Sequence, residues 1–393
     1  MPARRSSRMP ADRADTGSGG GESPRKPIAA GLLQAFGKVL DPRKRRGRRF
    51  GVASILLVAL AATLAGARTF VAIGEWASDA PPEVLARLGI DRAAPSEKAI
   101  RMLLQLLDAD AFDAALGAWM WLRTSVIDGR RVISFDGKTL KGARDAAGAL
   151  THLLAGLCQK TGAVVAQIGV PGKTSEVPKL RELVKTLDLA GAVLTADALH
   201  TCRETAQLIV DSGAHFIFTI KSNQPLLLAR VKALPWKKVP VLDRVKGKPA
   251  HGRVETRTFK ATAVDGSAGG LDFPGAVQVL QIKRTRVHRK TGKKTTETVY
   301  AVTSLSAADA DHRQVAEWLR GHWGIEVKVH WVRDVVFDED RHQNRTGAGP
   351  QVMASLRNLA LSLLRLDGCD NVAKALRHNG RDYERPLELL LAC

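Results

Sequence analysis

GAVLTADALHTCRETAQLIVDSGAHFIFTIK, residues 191–221, decides the fold. The first six residues are a short apolar run closed by Asp197 and read as a buried strand. Residues 203–212 predict a helix, and the aromatic and β-branched run 215–221 predicts a second buried strand. Strand, helix and strand in succession fold as a right-handed crossover within a parallel sheet. Working upstream, residues 131–135 (RVISF), 150–158 and 164–170 (VVAQIGV) read as three more strands, followed by a helix over 177–187.

Three strands, a helix, a strand, a helix and a strand make the order of a ribonuclease-H-like core. The stretch 224–306 interrupts it with β-type runs at 254–263, 277–284 and 296–303, a β-rich insertion. A long helix is expected from just after Asp311 to about Val336, and residues 351–366 and the end of the chain read as helical again. Ahead of the sheet, residues 32–40, an apolar run ending near Phe70, 83–88 and 96–122 carry helical patterns. The expected fold is therefore α/β: a ribonuclease-H-like mixed sheet with flanking helices, a β-rich insertion before the last catalytic helix, and an all-α N-terminal domain. Its boundaries are a disordered basic tail over 1–27, the helical domain over 28–126 and the catalytic domain over 127–393. The tail is too polar and too rich in Gly and Pro to bury a core, and Met9 within it offers a second start.

The 393 residues hold 60 Lys and Arg against 39 Asp and Glu, a net charge of +21, which points to a polyanionic partner. With 45% hydrophobic and 25% charged residues the chain can still build a core, so wholesale disorder is excluded. Cys158, Cys202, Cys369 and Cys393 are too scattered for a zinc cluster and fit a reducing cytosol. The apolar run 51–67 is shorter than a bilayer span usually needs and suits a buried helix. No signal peptide precedes it, so a cytoplasmic location without membrane is expected. The densest charge is in DPRKRRGRRF, residues 41–50, where Arg43, Lys44, Arg45, Arg46, Arg48 and Arg49 stand together. Such a block is ordinarily a solvated surface; on so basic a chain it is expected to touch phosphate.

Asp136, in SFDGKTLKG, follows the first predicted strand, with Gly137 permitting a tight turn, and Asp197 ends the fourth. If those strands are neighbours and parallel, the two carboxylates meet at one edge. They would repel each other unless a divalent cation lay between them, and oxygen donors suit Mg²⁺ or Mn²⁺. The third acid is expected from the long helix. In WLRGHWGIEVKVHWVRD, Val315, Trp318, Leu319, Ile325 and Val329 form the packing stripe at 100° per residue. His322, Glu326 and Arg333 fall within the same arc, so they either pair internally, Glu326 with Arg333, or line a site. His322, Glu326 and His330 do not match the HExxH pattern of zinc enzymes. Of Trp318, Trp323 and Trp331, Trp323 is the one expected to leave the core.

These residues resemble the H-repeat-associated insertion-sequence transposases, members of the DDE superfamily. The resemblance runs from about Leu32 to Leu366 through DPRKRRGRR, GEWA, FDGKTLKGAR, VPGKTSEVP, LTADALHT, IKSNQP, HGRVETR and GHWGIEVKVHWVRDVVFDED, in that order. It implies a catalytic, metal-binding triad of Asp136, Asp197 and Glu326 with two Mg²⁺ ions per site, Mn²⁺ substituting. It also implies in-line attack by water and then by a DNA 3′-hydroxyl, so that element ends are first cut and then joined to target DNA. Lys138, Lys141 and Arg144 then stand within reach of a phosphate backbone. Lys173 and its neighbours to Glu176, and Lys221 and Asn223 in the segment ending at Gln224, are expected to position DNA. His200 would orient a water or a phosphate oxygen, and His322 and Arg333 join the DNA-contacting set. Related cut-and-paste enzymes carry Tyr and Arg before the Glu and Lys after it. Here those places hold Leu319, His322 and Arg333, which leaves the route of second-strand cleavage open.

The implied partner is double-stranded DNA, both terminal inverted repeats and target, bound by a homodimer that brings two ends together and associates with the nucleoid. Two other functions stay in view: a domesticated or inactive DNA-binding remnant, and a metal-dependent nuclease without strand transfer.

Overall fold

The computed structural model of the chain describes residues 28–125, 130–144, 147–172 and 175–391. The basic tail over 1–27, Lys173 and Cys393 lie outside the described residues. Six helices come first: α1 (Ile28–Gly37), α2 (Val52–Leu64), α3 (Phe70–Asp79), α4 (Pro82–Arg87), α5 (Glu97–Leu106) and α6 (Ala109–Ser125). Thr69 and Ser96 start α3 and α5 by accepting hydrogen bonds from Ala72 N and Ala99 N, as N-caps do. α2 is apolar all round, and Ile55 through Leu64 are all buried, which is how such a helix avoids water. No helix among the described residues is long and apolar enough to cross a membrane.

The sheet is mixed and nine-stranded, in the order β3-β2-β1-β4-β5-β9-β8-β7-β6. It comprises β1 (Val132–Arg144), β2 (Leu150–Cys158), β3 (Val164–Val170), β4 (Val193–Ala196), β5 (His215–Ile220), β6 (Asp243–Lys246), β7 (Arg253–Ala263), β8 (Gln278–His288) and β9 (Lys294–Thr303). Helices α7 (Glu176–Thr186) and α8 (Arg203–Asp211) make the crossovers that place β1, β4 and β5 parallel. The β-rich insertion extends this same sheet, because β9 pairs antiparallel with β5 from Ile217↔Thr303 to Ile220↔Tyr300. It also holds a helix that the sequence reading left out, α9 (Pro225–Ala233), opened by Pro225 at its first position.

The two faces of the sheet are buried differently. On one, Val132, Val193, Ile217, Phe259, Leu280 and Ala301 pack under Val315, Trp318 and Leu319 of α10 (His312–Gly321). The other face joins a larger core that runs from Leu32 on α1 through α12 (Gly349–Leu366) and α13 (Val372–Asn379) to Leu390 on α14 (Glu384–Leu391). The helical N-terminal segment therefore shares its core with the sheet. A buried polar knot holds α6, β3 and α12 together. Asp113 accepts hydrogen bonds from Gln167 Nε2 at 3.0 Å and Gln351 Nε2 at 2.9 Å, and from the hydroxyl of Ser355.

Two expectations about local structure are corrected. β1 does not end at Asp136; it continues to Arg144, paired with β2 from Ile133↔Cys158 through Leu140↔Thr151. Gly137 accordingly serves close approach rather than a turn, since a Cβ there would collide with the Glu176 carboxylate. The helix expected through Val336 is not continuous. α10 is capped by Asp311 and Gln314 and stops at Gly321, a π-helical turn spans Glu326–His330, and α11 (Trp331–Val335) follows. Gly321, with Gln159 filling the place of a side chain, and Gly324 weaken the helix where it breaks. A π turn rotates every later side chain relative to a regular helix, which undoes the common arc assumed for Glu326 and Arg333.

Candidate active site

β1 and β4 pair in parallel from Val132↔Val193 to Phe135↔Ala196, so the next residues are Asp136 and Asp197. Side chains alternate along a strand. Asp136 therefore shares a face with Ser134, and Asp197 with Thr195. Ser134 and Thr195 hydroxyls are 3.1 Å apart, and Gln159 Nε2 donates to both while also donating 2.9 Å to the carbonyl of Trp318 on α10. This hydroxyl and amide layer fastens the helix above the two acids.

The π turn lowers Glu326 and His330 onto the same edge. His330 Nδ1 lies 3.2 Å from Glu326 Oε2 and 3.4 Å from Asp136 Oδ2. Ligand atoms of Asp136, Glu326 and His330 all lie within 4.8 Å of one another. Asp197 stands outside that group. Its carboxylate accepts 2.8 Å from Leu199 N and caps the short 3₁₀ turn Ala198–His200.

A further acid closes the cluster from the other side. Glu176, the first residue of α7, accepts from or pairs with His152 Nε2 at 2.9 Å and His200 Nε2 at 3.3 Å. Burial opposes its ionisation, but those two imidazoles outweigh it and hold its pKa near about 2. Asp136 feels the opposite balance. Burial first, then the charges of Glu176, Asp197 and Glu326, push its pKa up to about 7, against a hydrogen bond from Gly137 N. Burial, with help from Arg333 and Lys138, depresses His330 to about 3, so the imidazole is neutral near pH 7. Its Nε2 is buried without a hydrogen-bond partner among the described residues. A protonated Asp136 and a neutral imidazole facing further carboxylates form an electrostatically incomplete set. Carboxylate oxygens and one imidazole nitrogen are donors that a divalent cation takes, so the residues fit a divalent metal ion.

Several residues read as DNA contacts are placed otherwise. Arg333 is fully buried and bonded to Glu339, with Arg333 Nη2 to Glu339 Oε2 at 2.7 Å, so neither phosphate nor Glu326 reaches it. Burial opposes a charge on Glu339 as well, yet Arg333 and Arg357 hold its pKa near about 2. Lys138 is buried and gives its charge to both oxygens of Asp334 at 2.6 and 2.7 Å. His322 is packed against Thr195, Nδ1 to Oγ1 3.1 Å, and burial lowers its pKa to about 4. His200 is buried against Glu176 and presents nothing to solvent. Arg43 is bound to Asp41 and to the Phe50 carbonyl, whereas Arg48, though it donates to the carbonyls of Asp41 and Arg43, stays exposed.

Lys44, Arg45, Arg46 and Arg49 are exposed, as are Lys221 and Asn223. Asn223 Nδ2 also donates 2.6 Å to the carbonyl of Ala198, steadying the turn after Asp197. Lys141 keeps most of its length in water while meeting Asp340 at 2.9 Å. Trp323 and Trp331 are both exposed, whereas Trp318 packs from α10 onto the sheet. Sequence reasoning set His330 aside with zinc, missed Glu339 and gave Glu176 no role of its own. For His330 a signal existed, the i, i+4 spacing from Glu326.

The chain matches the family described as Transposase DDE domain over residues 127–363 and the DDE_Tnp_1-associated family over residues 33–120. It is 28% identical to "Putative transposase YncI" of Escherichia coli O157:H7 over 345 residues, covering 85% of this chain and 87% of that protein. It is 26% identical to "H repeat-associated putative transposase YhhI" of Escherichia coli strain K12, over 86% of this chain and 90% of that one. Among solved structures it aligns with the piggyBac transposase synaptic complex with hairpin DNA at a TM-score of 0.41 and 11% identity. That alignment covers 91% of this chain and 77% of that one. With the family matched over more than half its length, the chain belongs to the transposase DDE domain family.

Proposed function

We propose that this chain is the DNA transposase of an insertion sequence, cutting the element's ends and joining them to target DNA with Asp136, Asp197 and Glu326 as the catalytic carboxylates. The observation that carries the reading is the meeting of β1 and β4 at Asp136 and Asp197, with the π turn setting Glu326 and His330 against Asp136. The order of strands and crossovers supports a ribonuclease-H-like core over 127–393. Residues 28–126 would be the helical unit that contacts the ends, with Lys44, Arg45, Arg46 and Arg49 as its exposed cations.

Two Mg²⁺ ions, or Mn²⁺, would be held by the three carboxylates and would polarise the phosphate and stabilise the leaving 3′ oxygen. The protein's own groups prepare that site. Asp136 keeps its proton part of the time near pH 7 until a cation takes its place, because burial first and then the surrounding carboxylates raise its pKa to about 7. Glu176 keeps its charge through His152 and His200, and so adds to the field without needing a cation of its own. Lys138 and Asp334 tie β1 to α11, fixing how far Asp136 stands from the turn that carries Glu326. A homodimer follows from the need to hold two ends.

The test offers purified protein labelled element ends, one uncut and one already cut and carrying a free 3′-hydroxyl, together with a plasmid and Mg²⁺. Joined products are expected. Cleavage of uncut ends without any joining would leave a nuclease, and binding without either reaction would leave a DNA-binding remnant.

A further inference from the structure

The strands β6 to β9 sort their charges by face. Register makes one cross-strand row of Arg244, Thr258, Lys283 and Thr298, and a second of Lys246, Thr256, Thr285 and Thr296, with Lys294 opposite Val287 beyond them. These rows share a face, since each is two residues from the next. The opposite face carries Arg257, Arg284 and Glu297 in one row and Glu255, Arg286 and Thr295 in the next. Every carboxylate of the four strands, Asp243, Glu255 and Glu297, falls on that second face. There Glu255 takes Arg257 at 2.5 Å and Arg286 at 2.8 Å, and Arg286 reaches Glu297 at 3.3 Å. The first face has no acid, and Arg244, Lys246, Lys283 and Lys294 are exposed and make no ion pair among the described residues.

This face also projects past the acids. β5 ends at Ile220 opposite Tyr300, level with the ends of β1 and β4, whereas β9 has already run from Lys294 to Val299 without a β5 partner. Six strand residues extend about 20 Å beyond the edge where Asp136 and Asp197 sit. The unpaired cations thus stand on a wall beside the mouth of the site, on the side of the sheet away from α10.

We infer that the acid-free face of β6 to β9 binds the phosphate backbone of the target duplex. Cations interleaved with threonine hydroxyls suit phosphate oxygens. Phosphate contacts carry no base information, which fits a duplex accepted whatever its sequence. The Asp136 side chain faces the α10 side of the sheet, so an element end seated on the acids leaves this wall, which projects past them, free for the second duplex that joining requires. The inference rests on the transposase reading above, and its test separates the two.

Arg244, Lys246, Lys283 and Lys294 are changed together to Glu, and binding of a random-sequence duplex is followed against salt with the full-length protein. A control changes Lys185, Lys374, Arg377 and Arg381, exposed elsewhere and outside residues 28–126, to Glu with the same change in net charge. Four lost phosphate contacts reduce the slope of log K against log salt by about 3 to 4. The control is expected to keep the wild-type slope. A face variant with the wild-type slope, or a control that loses as much, overturns the inference. The double variant Lys283→Ala with Lys294→Ala, which is milder toward folding, should lose about half as much slope. Joining of pre-cut ends to plasmid is expected to fall at least tenfold further than cleavage of uncut ends. Equal loss of both would assign the wall to the element end and overturn the assignment to target. If wild type cuts no ends with Mg²⁺, the transposase reading fails while the slope still reports on the wall.

Discussion

Two charged regions of the molecule follow opposite rules. Around Glu339 the charges are buried and matched. Arg333 and Arg357 both reach its carboxylate at 2.7 to 2.8 Å, and Arg357 goes on to the carbonyl of Arg68. On the outer face of β6 to β9 the cations are exposed and unmatched. Buried charges must satisfy one another, so they fix the geometry of the chain that holds them. Exposed cations with no local acid are left to meet another molecule. The first region belongs to folding and to the spacing of the elements around Asp136, and the second is the surface of the inferred target contact.

The contrast predicts effects of very different size. Glu339→Ala strands two buried guanidiniums and should cost about 4 kcal/mol in urea unfolding; a cost under about 1 kcal/mol would mean the cluster is not structural. Asp113→Ala empties the knot between α6, β3 and α12 and leaves Gln167, Gln351 and Ser355 without their acceptor, at about 2 to 3 kcal/mol by the same measurement.

Asp136 gives the pH dependence. Its pKa rises from the ordinary 3.8 to about 7 on folding, so between those values the folded chain binds the proton more tightly than the unfolded one. Stability is then lost as pH rises through that window. Asp136→Asn, which cannot ionise, should match wild type near pH 4 and exceed it at pH 8 by about 2 kcal/mol in EDTA, allowing for the partial exposure of the group. Thermal melts at the two pH values check this, and added Mn²⁺ should narrow the gap by compensating the wild-type carboxylates. At the small end, Lys283→Ala and Lys294→Ala should each change stability by no more than about 0.5 kcal/mol. A larger loss would place these lysines with the structural charges.

The central strands and crossovers were legible because buried parallel strands leave unbroken apolar runs, as in GAVLTA and HFIFTI. Asp136 and Asp197 were legible for the same reason, each being the first charge after such a run. The second half of β1 was not. DGKTLKGAR is polar and rich in Gly, and it is a strand because β2 pairs with it and residues 340–342 cover Gly142. Glu326 was found on a regular helical wheel that the chain does not follow. The π turn moved Arg333 inward to Glu339, a partner six residues on that no periodicity announces. Lys138 was read as a surface cation because Asp334 lies nearly two hundred positions away in sequence.

The most direct measurement compares wild type with Asp136→Asn, Asp197→Asn and Glu326→Gln in Mg²⁺-dependent cleavage of a labelled element end, with folding of each variant checked by circular dichroism. Wild type is predicted to cut with Mg²⁺ and not in EDTA, and each variant to lose at least about a thousandfold in rate while remaining folded. Cleavage in EDTA, or a folded variant that cuts at the wild-type rate, would contradict the assignment of these three acids.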